Sequence, residues 1–214
     1  METISTADLI RCLAGFAQRV ADARDELSAL DAATGDADHG ANLARGTIAL
    51  AAMLADAGGQ RPGEVLRQAG LVMVDTIGGS SGALYGTVFL RMAAAVGPQA
   101  RAIAPEMLAQ ALQAAAQGIT DRGRARPGDK TMLDAMQPAA TAYAGALSQG
   151  DSLPAALRAA ADAAAQGAAA TAAMRARRGK SSYVGDRSIG TVDPGAASVA
   201  LLFAAMAQIG APAP

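Results

Sequence analysis

Leu153-Pro-Ala-Ala-Leu-Arg-Ala-Ala-Ala-Asp-Ala-Ala-Ala-Gln-Gly-Ala-Ala-Ala170, continuing through Thr171-Ala-Ala-Met-Arg-Ala-Arg177, decides the fold class. Of these 25 residues 14 are alanine, and Thr171 is the only β-branched one. Alanine loses no side-chain entropy in a helix, whereas strands favour β-branched and aromatic residues. The segment is low in complexity, but its length and period predict one long helix. The same balance holds for the whole chain, with 58 alanines against 17 valines plus isoleucines and 3% aromatics. The expected fold is therefore all-α.

Apolar residues at helical spacing extend the pattern on both sides. Helices are predicted over Ile4 to Leu30, Ala41 to Ala57, Gly63 to Ile77, Ser81 to Val96, Pro105 to Arg122, Thr131 to Leu147, Leu153 to Arg177 and Gly195 to Ile209. Connections are short except Asp121 to Lys130 and Gly179 to Pro194. No shift of composition marks a boundary, so residues 1–214 read as one domain of about eight helices.

Charge and composition exclude several functions. A formal net charge of −1 leaves no basic excess for nucleic acid or an anionic membrane. One cysteine, Cys12, rules out an intrachain disulfide framework and a Cys-rich zinc site, and one histidine, His39, rules out His-pair metal motifs. The N-terminus lacks a basic region followed by an apolar one. The longest uncharged stretch, Pro194 to Pro214, has an apolar centre from Ala196 to Ile209, too short for the ~20 residues of a spanning helix. A cytosolic enzyme or binding protein fits these features.

Four loops collect the unusual residues: Asp31 to Gly40, Gly78 to Gly82, Gly123 to Lys130, and Gly179 to Gly195. Each lies at a predicted helix start, where free backbone N–H groups and the positive end of the dipole attract anions, and glycine lets a phosphate come close. Four such loops in one small helical chain imply a shared polar site at one end of a bundle.

In the first loop Asp31, Asp36 and Asp38 fall within eight residues. Carboxylates this close repel unless a cation joins them, and magnesium takes hard oxygen ligands together with phosphate oxygens. The other reading is an acidic turn capping the next helix. An EF-hand fails, because counting from Asp36 puts Thr47 at the twelfth position, where glutamate belongs. Gly78-Gly-Ser-Ser-Gly82 matches the nucleophile elbow of serine hydrolases, but those need a histidine after the serine, and His39 precedes it. Gly123 to Thr131 resembles a P-loop with one residue too many before Lys130 and no strand in front. Two readings remain for these loops: phosphate chemistry from glycine turns, hydroxyls and a lysine near helix starts, or a tight-packing glycine loop at Gly78 to Gly82 and a solvated basic loop beside Arg122, Arg124 and Arg126. His39 reads as a hydrogen-bonding residue that fixes its loop, with a base or ligand as the alternative.

Taken in order, these motifs resemble subunit L of dihydroxyacetone kinases and the equivalent C-terminal nucleotide-binding domain of ATP-dependent dihydroxyacetone kinases. Gly35-Asp-Ala-Asp-His-Gly40 with Asn42, Gly78 to Gly86, Gly128-Asp-Lys-Thr-Met-Leu-Asp134, and Ser181 to Gly190 with Asp193-Pro-Gly-Ala196 carry the resemblance. It implies a barrel of eight mostly antiparallel helices with the nucleotide at one end. It implies that Asp31, Asp36 and Asp38 hold two magnesium ions bridging the phosphates of ADP or ATP. His39, Gly40, Ala41, Asn42, Ser80 and Ser81 would line the phosphate side. Gly123, Thr131, Met132, Asp193, Pro194 and Gly195 would hold ribose and base, and Lys180 would contact phosphate.

Two positions depart from the family pattern. Ala37 replaces a glycine, so its backbone is expected to avoid conformations only glycine tolerates. Lys180 stands where arginine is common and lacks the bidentate fork, with Arg177 and Arg178 beside it.

The resemblance further implies a cytoplasmic phosphotransferase of glycerol metabolism. ADP would be a bound carrier that takes a phosphoryl group from a phosphotransferase-system subunit (M). The acceptor would be dihydroxyacetone held covalently on a histidine of a partner kinase subunit (K). A homodimer is compatible with it. The other implied functions are a sibling subunit that uses free ATP on another small ketose or triose, and a non-catalytic nucleotide-binding regulator.

Overall fold

In the computed structural model, residues 2–210 are described; the tail of the uncharged stretch, 211–214, lies outside the described residues. Among the described residues nine α-helices follow one another: α1 (Thr6–Asp22), α2 (Arg24–Ala32), α3 (His39–Ala55), α4 (Pro62–Thr76), α5 (Gly79–Val96), α6 (Pro105–Gly123), α7 (Leu133–Ser148), α8 (Leu153–Ala170) and α9 (Pro194–Met206). Two 3-10 segments, Thr171–Ala173 and Lys180–Ser188, complete the described elements.

The helix starts follow local chemistry. At α1, Ser5 Oγ accepts from the Asp8 N–H at 3.1 Å while the Asp8 carboxylate accepts from the Ser5 N–H at 2.9 Å, a reciprocal cap. Proline opens α4, α6 and α9, where its fixed φ suits the first turn and its missing N–H costs nothing.

Three expectations need correction. Ile4 is not helical; its backbone pairs with Ile103 in an isolated bridge at 2.9 and 2.8 Å, which pins the N-terminal segment to the α5–α6 connection. The first predicted helix breaks at Ala23, so that one rod is α1 followed by α2. The alanine-rich helix stops at Ala170 rather than Arg177. The cause is tertiary: Thr171 is fully buried and its polar atoms are bonded to distant segments, which overrides the propensity of the alanines that follow.

With α1 and α2 as one bent rod, the chain is a ring of eight rods. Each packs on its sequence neighbours, and α1 closes on α9. Small side chains bring the helices close, and five of the six aromatics fill the middle: Phe16, Tyr85, Phe89, Tyr143 and Phe203 are fully buried. Truncating one of these phenylalanines to alanine would cost about 3–5 kcal/mol. The up-and-down order has one consequence for function. The starts of α3, α5, α7 and α9 and the ends of α2, α4, α6 and α8 all lie at one end of the ring. No helix among the described residues is long and apolar enough to cross a membrane.

Candidate functional site

A half-open cleft of about 200 Å³ opens at that end. Its walls carry residues from all four loops: Asp31, Asp36, Asp38 and His39; Ser80 and Ser81; Gly123, Thr131 and Met132; Lys180, Asp193, Pro194 and Gly195. These sequence-predicted residues come together. Gly40, Ala41 and Asn42 do not line the cleft. Gly40 is buried against α2, where a Cβ would run into the Arg24 carbonyl, and Asn42 accepts from Arg45 Nη2 at 2.9 Å.

The acidic loop forms one wall. Asp31, at the end of α2, accepts through Oδ2 from the Asp38 N–H at 2.9 Å and the His39 N–H at 3.2 Å. It therefore occupies the positive start of α3, and the capping role holds for this carboxylate. One oxygen each of Asp31, Asp36 and Asp38 lies within 4.8 Å of the others. Asp31 is buried, Asp38 half-buried and Asp36 exposed. Lys180 Nζ sits on Asp36 and reaches Asp38 Oδ2 at 3.4 Å. This ammonium holds the Asp36 carboxyl below the usual carboxylate range, and the same bond raises the lysine. A second tie, Thr34 Oγ1 to Ser181 Oγ at 2.9 Å, fastens the Gly179–Ser181 strap to the acidic loop.

Ala37 contradicts its expectation: its φ is +63°, in the left-handed region that the family glycine would suit. The turn between Asp36 and Asp38 is kept at the expense of backbone strain.

The glycine–serine loop faces the acids. A Cβ on Gly82 would collide with the Ile77 carbonyl, so this turn closes only with glycine there. The four helix starts are not equivalent. Asp31 takes the N–H groups of α3, Asp193 Oδ2 accepts from the Ala196 N–H of α9 at 2.7 Å, and Thr131 Oγ1 accepts from the Leu133 N–H of α7 at 3.2 Å. At α5 the N-cap is Gly78, with no side-chain cap. The α5 start with Ser80 and Ser81 is thus the anion site left available to a ligand.

The opposite wall is saturated internally. Lys130, φ +61° and 2% exposed, turns inward and donates from Nζ to the Thr171 carbonyl at 2.6 Å and to the Thr191 carbonyl. The Asp193 N–H donates to Thr171 Oγ1 at 2.8 Å. Burial pushes the Asp193 carboxyl up to about 7, against the opposing pull of the Ala196 hydrogen bond and the Lys130 charge. Asp134 accepts from the Thr131 N–H at 2.8 Å and Asp129 from the Arg126 N–H at 3.0 Å, which fixes the preceding loop.

Sequence reasoning missed part of the site. Leu84, Ile119 and Ala125 add an apolar floor beside Met132, and they carry only the core signal of their helices. Tyr85 and Ser198 meet His39: Ser198 Oγ is 3.1 Å from Nε2, Ser81 Oγ is 3.3 Å from Nδ1, and the Tyr85 hydroxyl donates to Ser198 at 2.7 Å. Burial lowers the pKa of His39, countered by Asp31 and Asp38. No local pattern announces contacts that span 113 and 159 positions of chain.

The DAK2 domain model matches residues 33–208. The chain belongs to the DAK2 domain family. It is 40% identical over 93% of its length to the ADP-binding subunit DhaL of PEP-dependent dihydroxyacetone kinase 1 from Listeria innocua, covering 94% of that protein. It is 37% identical over 85% of its length to the Escherichia coli DhaL subunit of the same kind of kinase, covering 86% of it. Its resemblance to this subunit family is thereby established. It also spans about a third of a D-erythrulose kinase from Mycolicibacterium smegmatis, at 37% identity over 89% of this chain and 33% of that one. Among solved structures, the C. freundii dihydroxyacetone kinase in complex with AMP-PNP and Mg2+ superposes with a TM-score of 0.72 at 28% identity, over 97% of this chain and 35% of that one. The helical barrel is thus shared with that kinase.

Proposed function

We propose that residues 1–214 form one nucleotide-binding unit, a phosphotransferase subunit that carries ADP with magnesium. In this function it relays a phosphoryl group to dihydroxyacetone presented by a partner. The observation that carries this is the pairing, across one cleft, of three clustered carboxylates with the uncapped start of α5. The donor set suits magnesium, since all three side chains offer hard oxygens and a cation, the Lys180 ammonium, already sits among them. Asp31, Asp36 and Asp38 would hold a pair of ions, whose charge neutralises the phosphates of the nucleotide.

The chain's own groups do the rest. The α5 N–H groups and Ser80 bind phosphate oxygens, while Leu84, Ile119 and Met132 shelve the base. Asp193, Pro194 and Gly195 hold the ribose. Phosphoryl transfer asks for positioning and charge neutralisation more than covalent chemistry. His39, the single histidine, is buried with both ring nitrogens hydrogen-bonded, so it offers no covalent anchor for a ketone. Dihydroxyacetone therefore arrives on a partner kinase subunit, and a phosphotransferase-system subunit supplies the phosphoryl group in the cytoplasm. Exposed Arg124, Arg126 and Lys180 flank the cleft for docking, with local contacts rather than long-range steering at a net charge of −1.

A second reading, an ATP-using subunit for another small ketose, is favoured by the erythrulose kinase relatives. Desalting the purified chain and assaying it alone separates the two. Retained ADP and no turnover of dihydroxyacetone with ATP supports the carrier. Steady turnover by the isolated chain overturns it.

A further inference from the structure

Three long cationic side chains line the cleft, and each has a different partner. Lys130 is buried on the Thr171 and Thr191 carbonyls. Arg178 Nε pairs with Asp129 Oδ2 at 3.3 Å. Of the three, Lys180 alone stands on the proposed metal ligands: its Nζ is bonded to Asp36 Oδ2 and lies 3.4 Å from Asp38 Oδ2. The side chain is more than half exposed, so charge rather than packing holds it there. The backbone is aimed at the same place. Gly179, with φ +65°, turns the chain toward the acidic loop, and Ser181 Oγ meets Thr34 Oγ1 at 2.9 Å. The other end of the strap is anchored on the fold, where Ser188 Oγ accepts from the Ala176 N–H at 2.9 Å and the Gly190 N–H donates to the Ala172 carbonyl at 2.7 Å.

Three carboxylates within 4.8 Å of one another repel, and an ammonium between two of them offsets that repulsion. A divalent ion on the same carboxylates meets the ammonium as a like charge, so the two cations exclude each other. We propose that Lys180 is a resident competitor of magnesium: it holds Asp36 and Asp38 together until the metal comes, and it yields them readily only when a bound nucleotide offers its charge another partner. Phosphate oxygens in the cleft that Lys180 lines are that partner. Lysine suits the exchange, being a compact charge on a flexible stem, whereas an arginine fork would grip one carboxylate bidentately. Nucleotide and metal thereby strengthen each other's binding beyond their direct contact, and to the same extent in both directions. The inference rests on the metal-carrying function proposed above.

The test uses the full chain freed of nucleotide, with magnesium alone as the probe. Isothermal titration calorimetry should show Lys180→Met binding magnesium about 2- to 5-fold more tightly than wild type, the scale of one exposed ion pair. Lys180→Arg should bind it no more tightly than wild type. ADP retention at saturating magnesium should fall in Lys180→Met, the opposite sign, which a merely structural lysine would not produce. The chain has two lysines, so 13C-lysine labelling gives two ε-methylene signals. Magnesium should shift that of Lys180 and leave that of buried Lys130 in place. Magnesium binding by Lys180→Met that is equal, weaker or undetectable without ADP overturns the inference, as does a Lys180 signal that ignores the metal. Both results leave the nucleotide function standing. Magnesium held by neither form, with or without ADP, sinks the metal function and this inference with it.

Discussion

The two lysines of this chain sit on opposite walls of one cleft and behave as opposites. Lys130 is 2% exposed and donates to two backbone carbonyls. The Lys180 side chain is 57% exposed and rests on Asp36 and Asp38, themselves 47% exposed. Lys130 is a strut: two of its three donors join the ends of three segments. Lys180 bridges carboxylates that have too few internal partners. A buried polar network that is fully satisfied specifies structure, whereas clustered charge left to an exposed lysine awaits a ligand. Lys130 itself therefore belongs to the fold and Lys180 to binding, though the two lysines look alike in sequence.

Substitutions at both walls test that division. Asp36→Asn and Asp38→Asn should each abolish tight nucleotide retention while circular dichroism and melting temperature hold, since the exposed pairs these carboxylates make with Lys180 contribute little to stability. Lost helix with nucleotide retained would break the comparison. Lys130→Met should do the reverse and lower stability in urea unfolding, because each buried carbonyl left without its donor costs roughly 1–3 kcal/mol. Lys180→Met should leave the unfolding midpoint unchanged.

The pH dependence sharpens the contrast. Asp193 titrates at about 7 when folded against an ordinary 3.8. Between these values the folded chain keeps a proton that the unfolded chain has released. This contribution to stability is complete below 3.8, declines as pH rises and is gone above about 7. Asp193→Asn keeps a capping oxygen at α9 and should flatten that slope in denaturation curves between pH 4 and 7. The smallest effect belongs to the binding wall. Ala37→Gly should relieve a left-handed alanine worth roughly 1–2 kcal/mol, offset by about 0.5–1 kcal/mol of glycine chain entropy, for a net gain of about 0–1.5 kcal/mol in thermal unfolding.

Much of this was legible in the sequence, and what escaped has physical reasons. Alanine content and helical spacing give the barrel's eight rods, and the motif loops fall together at one end because an up-and-down ring leaves them no other place. The break at Ala23 was hidden, because no glycine or proline marks it and its N–H simply bonds back to Ala21 and Arg19. The end of α8 was hidden because Thr171 answers to Lys130 and Asp193, which are far along the chain. Ala37 carried a signal, since it stands where the family pattern has glycine, and its backbone keeps that glycine's left-handed shape instead of avoiding it. Asp31, Asp36 and Asp38 were readable as a cluster, but Ser198 and Tyr85 were not, because helix partners across a ring leave no local spacing.

The central claim, that the acidic wall holds magnesium for a bound nucleotide, is tested most directly by thermal shift with ADP. With magnesium and ADP at a hundredfold excess over Kd, the folded state should gain about 2.7 kcal/mol. EDTA should remove that gain completely, and Asp38→Asn should never show it. A shift of the same size that survives EDTA would contradict the account.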